Sequence, residues 1–184
     1  MEKTKANDHG RGWRDGLRKE LITRVDPNGN PIYVFDPTLE EQNKVGMDIK
    51  SFHKKMAGWI LGGNADLIAE GTNLIWKGKD ILEPIPGEEG KFRHIKILGD
   101  IDYVLNSNFL ICRMEPGDQP CGTYGEALLA YMYNIPIYVI QTQPRDAYAV
   151  SFNGWVAGSG GQYFDNPTQL LEFIDSKYKL KVKK

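Results

Sequence analysis

The chain has 184 residues, 41% apolar and 26% charged, enough for one domain with a sizeable core. Its 23 lysines and arginines against 24 aspartates and glutamates leave a net charge of -1, without the basic excess of a general nucleic-acid binder. No stretch approaches the ~18 consecutive apolar residues of a membrane span. The N-terminus MEKTKANDHGRG has no apolar signal core. Two cysteines, Cys112 and Cys121, are too few for a disulfide framework, and a cytoplasmic location is the default.

Residues 1–12 are polar and read as a flexible N-terminal segment. Trp13, Leu17 and Leu21 recur at i, i+4 and i+8 and open a helix. DPNGNP, Asp26 to Pro31, is a dense turn signal, and Ile32 to Phe35 then reads as a short buried strand. Thr38 to about Gly63 reads as mostly helical, with a break near Gly46. Residues 62–92 are rich in glycine and proline; Leu74 to Trp76 fits a short strand or part of a lid, and Glu83 to Lys91 a loop. Ile95, Leu98, Ile101 and Leu105 suggest a helix weakened by Gly99.

Phe109 to Cys112 is a second buried strand, followed by a loop from Arg113 to Gly122 and a helix from Thr123 to Asn134. Ile135 to Ile140 is a third strand. After an irregular, glycine-rich stretch, Asn166 caps a last helix with Pro167 at its first position. Residues 13–176 are read as one domain and 177–184 as a basic, solvated tail.

Short all-apolar strands alternating with helices imply a parallel sheet covered on both faces. The expected class is α/β, a three-layer α/β/α arrangement of flavodoxin or Rossmann-like type. Such sheets bind ligands at the carboxyl ends of their strands, and the 113–122 loop leaves one of those ends. Gly122-Thr123-Tyr124-Gly125-Glu126 opens the following helix. Thr123 and Glu126, three apart, fit a capping box. The same helix N-terminus also suits a phosphate or a polarised sugar oxygen, and a glutamate there can attack an electrophilic carbon.

The segment from Asp100 to Ile140, with Gly-Thr-x-x-Glu at 122–126 and IPIYVI at 135–140, resembles the nucleoside 2-deoxyribosyltransferase family and the related 2'-deoxynucleoside 5'-phosphate N-hydrolases. WRDGLRKEL (Trp13 to Leu21) and YVFDPT (Tyr33 to Thr38) are similar to a group of this family frequent in phage genomes, as is the stretch from Asn153-Gly154-Trp155 to Tyr163-Phe164-Asp165. The resemblance covers most of residues 2–176 and is sharpest over 100–140.

The resemblance implies cleavage or transfer at the N-glycosidic bond of a (deoxy)nucleoside or nucleotide, in the cytoplasm, or in a host's cytoplasm for a phage-encoded chain. Glu126 matches the nucleophile and Asp100 a substrate-contacting aspartate; capping of a helix after Gly99 is the alternative for Asp100. Gly122 and Thr123 match the turn that faces the ribose. Six residues before Glu126 the family's transferases carry aspartate and this chain carries Pro120, with Asp118 nearby as the substitute. Tyr124 and Trp155 fit base stacking or core packing equally. Arg14 fits a phosphate contact or a solvated face.

The chain begins at what looks like the end of the family's usual first strand: either the start falls at an internal methionine or another segment fills the gap, and otherwise the sheet lacks that strand. A neighbouring subunit completes the family's crevice; the resemblance therefore implies a homo-oligomer, with Asn153 and Trp155 on the contributing stretch. No cofactor and no metal are expected, since His9, His53 and His94 have no ligand spacing. The expected partner is a small nucleoside or nucleotide, with no membrane and no long nucleic acid. The alternative is a non-catalytic nucleotide-binding or sensor module on the same fold.

Overall fold

A computed structural model describes residues 11–37, 46–47, 49–114, 121–141 and 150–183. The chain is mixed α/β and divides into two compact units, residues 37–106 and the segments 1–36 and 107–184 that flank them.

The 37–106 unit holds a helical pair, α2 (Ile49–Leu61) and α3 (Ala65–Lys77). They pack where Gly71 of α3 leaves room for Met56 and Trp59. An antiparallel hairpin follows, β2 (Gly78–Pro84) against β3 (Phe92–Leu98), then the short helix α4 (Asp100–Leu105). Gly78 has φ +72° and packs against the Ile97 carbonyl, so no other residue fits without strain.

In the flanking unit, α1 (Arg11–Leu21) leads into a two-residue strand, β1 (Arg24–Val25). After residue 106 come β4 (Leu110–Arg113), α5 (Cys121–Met132), β5 (Ile137–Ile140), α6 (Val150–Gly158), β6 (Gln162–Phe164), α7 (Pro167–Tyr178) and β7 (Lys181–Val182). Strands β4, β5 and β6 form a parallel sheet in that spatial order, with Leu110 opposite Ile137 and Tyr138 opposite Gln162. β4 and β5 are each followed by a helix because parallel neighbours need a crossover connection.

Strand β5 is central and wholly buried, which explains its unbroken apolar run Ile-Tyr-Val-Ile. Tyr138 and Ile140 point to one face, where they cluster with Phe164, with Leu17 and Leu21 of α1 and with Leu170 and Ile174 of α7. The Lys177 ammonium lies 5.3 Å from the Tyr138 ring centre. Gly161 is obligatory just before β6: a Cβ there would collide with the Ile137 carbonyl.

The last helix behaves as its sequence indicates: the Asn166 side chain accepts the Gln169 amide hydrogen at 3.0 Å, and Pro167 opens the helix. The basic tail carries structure. Tyr178 ends α7, and Lys181 and Val182 pair with Val25 and Arg24 in an antiparallel ladder. Arg24, 7% exposed, donates through Nε to Asp175 at 2.7 Å and through a second nitrogen to the Glu20 carbonyl.

Several expectations are corrected. Ile32 to Phe35 forms no strand; the one bridge there joins Pro31 to Val25, and the run is bounded by Pro31 and Pro37. Leu74 to Trp76 lies inside α3 and is neither strand nor lid. Ile95 and Leu98 belong to β3, and the helix starts only at Asp100. The stretch read as irregular before Asn166 contains α6 and β6. No helix among the described residues is long and apolar enough to cross a membrane.

Candidate active site

Parallel strands deliver their carboxyl ends to one edge, and Arg113 of β4 sits there beside Ile140 of β5. Beyond them the Met114 amide donates to the Ile140 carbonyl at 3.1 Å, and the Gln141 amide to the Phe164 carbonyl at 2.9 Å. Met114 and Gln141 are both buried. The Gln141 side chain is thus a buried polar group at the edge where ligands bind in such sheets. Its signal in the sequence is the switch from Ile-Tyr-Val-Ile to glutamine at the strand's carboxyl end, which motif reasoning passed over. Asp118 lies outside the described residues, as do residues 115–120 and 142–149 as a whole.

Helix α5 begins at Cys121. Thr123 and Glu126 therefore lie within the helix, not at a cap and its third following position, and the capping-box reading does not hold. Thr123, Tyr124 and Glu126 are half-buried, next to the fully buried Ala127. Gly122 is exposed, and a Cβ there would touch nothing, so its own chain does not require glycine at that position.

Glu126 and Arg14 both lie close enough to the buried Cys112 to act on it electrostatically. Burial pushes the Cys112 thiol pKa up, the Glu126 charge raises it further and the Arg14 charge opposes both. That thiol is therefore inert at neutral pH. Arg14 is half-buried, with its guanidinium 5.3 Å from the Trp13 ring centre. A carboxylate and a guanidinium thus converge on the β4 strand end from different helices.

Tyr124 meets Phe152 edge to face at 5.4 Å between ring centres and Trp155 at 6.4 Å. Their rings join α5 to α6. Asn153 accepts a hydrogen bond from the Tyr163 hydroxyl, tying α6 to β6. Asp100 belongs to the 37–106 unit, as the first residue of α4, and is 4% exposed. The bond that caps that helix comes from Asp102, which accepts the Gly99 amide hydrogen at 3.2 Å and pairs with Lys96 at 2.7 Å.

Chemically, this unit offers a half-buried carboxylate and a half-buried guanidinium, both acting on Cys112 of β4, and a buried amide side chain just past the end of β5. Among the described residues no group of three or more histidine, cysteine, aspartate or glutamate side chains is arranged to hold a metal ion. Comparison of the chain with protein-family models, with curated proteins and with solved structures finds no match.

Proposed function

We propose that the chain cleaves or transfers at the N-glycosidic bond of a (deoxy)nucleoside or nucleotide, with Glu126 as the nucleophile, on a three-layer flavodoxin or Rossmann-like domain. The observation that carries this reading is the setting of Glu126: inside α5, half-buried, and close enough to act on Cys112, one residue before the carboxyl end of β4 at the sheet's edge. A carboxylate at such an edge is well placed to attack C1' of a bound sugar from below, through an oxocarbenium-like state, with departure of the base. Water or a second base then takes the sugar and frees the carboxylate. Arg14 supplies positive charge for a 5' substituent, and Gly122 and Thr123 line the approach to the ribose.

The proposed substrate is small and the reaction needs no metal, because the carboxylate and a protonated base supply the chemistry. Incubation with a panel of nucleosides and 5'-nucleotides, with and without an acceptor base, should release free base detectable by chromatography. EDTA should leave the rate unchanged. Glu126→Gln should lower it by about a thousandfold or more while the circular dichroism spectrum stays the same. Full activity in Glu126→Gln would overturn the assignment. Calorimetric binding of a nucleotide without any base release would select the non-catalytic binding module.

A further inference from the structure

Among the described residues of the 37–106 unit, the two most exposed large apolar side chains are Leu61 at 90% and Ile60 at 61%. They are neighbours at the end of α2, where the chain turns into α3. Leu67, in the first turn of α3, is 39% exposed, and Ala57, Gly58 and Ala65 are exposed as well. Residues 56–65, MAGWILGGNA, carry no charge. An apolar patch held out to solvent in this way marks an interaction site.

The backbone at this tip is closed on itself. Helix α2 ends with Gly63 at φ +67°; the Gly63 amide donates to the Ile60 carbonyl at 3.1 Å and the Asn64 amide to the Trp59 carbonyl at 2.9 Å. The Gly62 amide donates to the Gly58 carbonyl and the Ala65 amide to the Gly63 carbonyl, both at 3.0 Å. Every amide from residue 62 to 65 thus bonds within the tip, as a segment entering an apolar medium requires. Behind the tip the residues follow the order of a membrane interface. Trp59 is half-buried, the Lys55 ammonium lies 5.1 Å from its ring centre, and Lys54 and Lys55 are exposed. Between Ile49 and Ala65 the sequence has three lysines and no acidic residue.

We propose that this tip seats in the interface of an anionic lipid bilayer. From Lys55 to Leu61 the helix rises about 9 Å, which matches the ~5–10 Å to which interfacial segments bury their apolar side. Ile60 and Leu61 then reach the acyl boundary, Trp59 lies among the headgroups, and Lys54 and Lys55 meet the negative charge there. Asp66 and Glu70, one turn apart on α3 and both exposed, hold that helix in the aqueous layer, so the end of α2 and the turn make the contact. A groove on a protein would also take an apolar tip, but it gives no reason for the lysine and tryptophan collar behind it. The sequence-based expectation of no membrane rests on the lack of an apolar span, and a tip seated in one leaflet needs none. The inference does not depend on the reaction proposed above.

Co-sedimentation of the full chain with vesicles of phosphatidylcholine and phosphatidylserine in equal parts tests it. The expected result is a chain that pellets with these vesicles and binds about tenfold more weakly to phosphatidylcholine alone. Ile60→Gln combined with Leu61→Gln should weaken binding by about tenfold or more. Lys54→Gln combined with Lys55→Gln should weaken it on the mixed vesicles only. All four side chains are exposed, so the circular dichroism of both variants should match the parent's. Leu61→Ser alone repeats the test if the double change disturbs α2. A parent chain that stays in the supernatant overturns the proposal and leaves a protein as the occupant of the tip. Undiminished binding by the folded Ile60→Gln, Leu61→Gln variant also overturns it, because the basic residues from Lys177 onward would then hold the vesicle.

Discussion

The Ser159 hydroxyl accepts the Ile137 amide hydrogen at 3.2 Å and donates its own to the Val156 carbonyl at 2.9 Å. It thereby fastens the end of α6 to the first residue of the central strand. Both residues are buried, Ser159 at 7% and Ile137 at 0% exposure. Ser159→Ala strips a buried amide of its acceptor, which costs about 1–3 kcal/mol. Urea unfolding should show a lower midpoint with an unchanged slope. A midpoint equal to that of the parent would mean the bond contributes nothing.

Two glycines should respond in opposite directions to the same change. Gly161→Ala drives a methyl into the Ile137 carbonyl, a backbone group that cannot step aside without disturbing β5. The loss should be roughly 3 kcal/mol or more, and loss of soluble expression is one form it can take. Gly16 lies inside α1 with open space where a methyl would sit, so Gly16→Ala should stabilise by about 0.5–1 kcal/mol. Thermal melts of the two variants should fall on either side of the parent; a stabilised Gly161→Ala would contradict the close packing of Gly161 on β5.

The central strand and the last helix were legible because their cues are local. An unbroken apolar run ends a helix-loop-strand pattern at Ile140, and Asn166-Pro167 states its own cap. The 95–105 stretch misleads for a physical reason. Ile95, Leu98, Ile101 and Leu105 keep a helical spacing across Gly99, where the backbone turns from strand to helix; the strand's own alternation is Ile95, Ile97. Ile32 to Phe35 has the composition of a strand, but a strand also needs a neighbour, and sequence does not supply one. Helix α6 was hidden by its Asn153, Gly154 and Gly158, which look like loop residues, while the buried Phe152 and Val156 anchor the helix. Of the candidate site, Glu126 was legible from the motif, and its position within the helix was not.

The Tyr138 and Tyr178 hydroxyls lie 2.9 Å apart. Burial pushes both phenol pKa values above their ordinary range. The hydrogen bond between them adds to the rise at Tyr178 and offsets part of it at Tyr138. The unfolded chain therefore releases these protons first, near pH 10. Stability from the pair is full below about pH 10 and is lost as pH climbs past it toward the folded values. Tyr178→Phe should cost about 1 kcal/mol at neutral pH and make the alkaline decline shallower. Denaturation midpoints measured from neutral to strongly alkaline pH decide it: an equally steep decline in the variant would show that other groups govern the loss.

Strand β1 leaves the ribosome 156 residues before its partner β7, by the Val25 to Lys181 pairing. The 37–106 unit is contiguous and emerges between them. It can therefore gather its own contacts while the flanking unit still waits for α7 and β7. During that interval the apolar strand Ile137 to Ile140 is already made, but the face bearing Tyr138 and Ile140 lacks its cover from Leu170 and Ile174. The order of synthesis thus sets a window of exposure, and a chain cut short before Pro167 would remain in it.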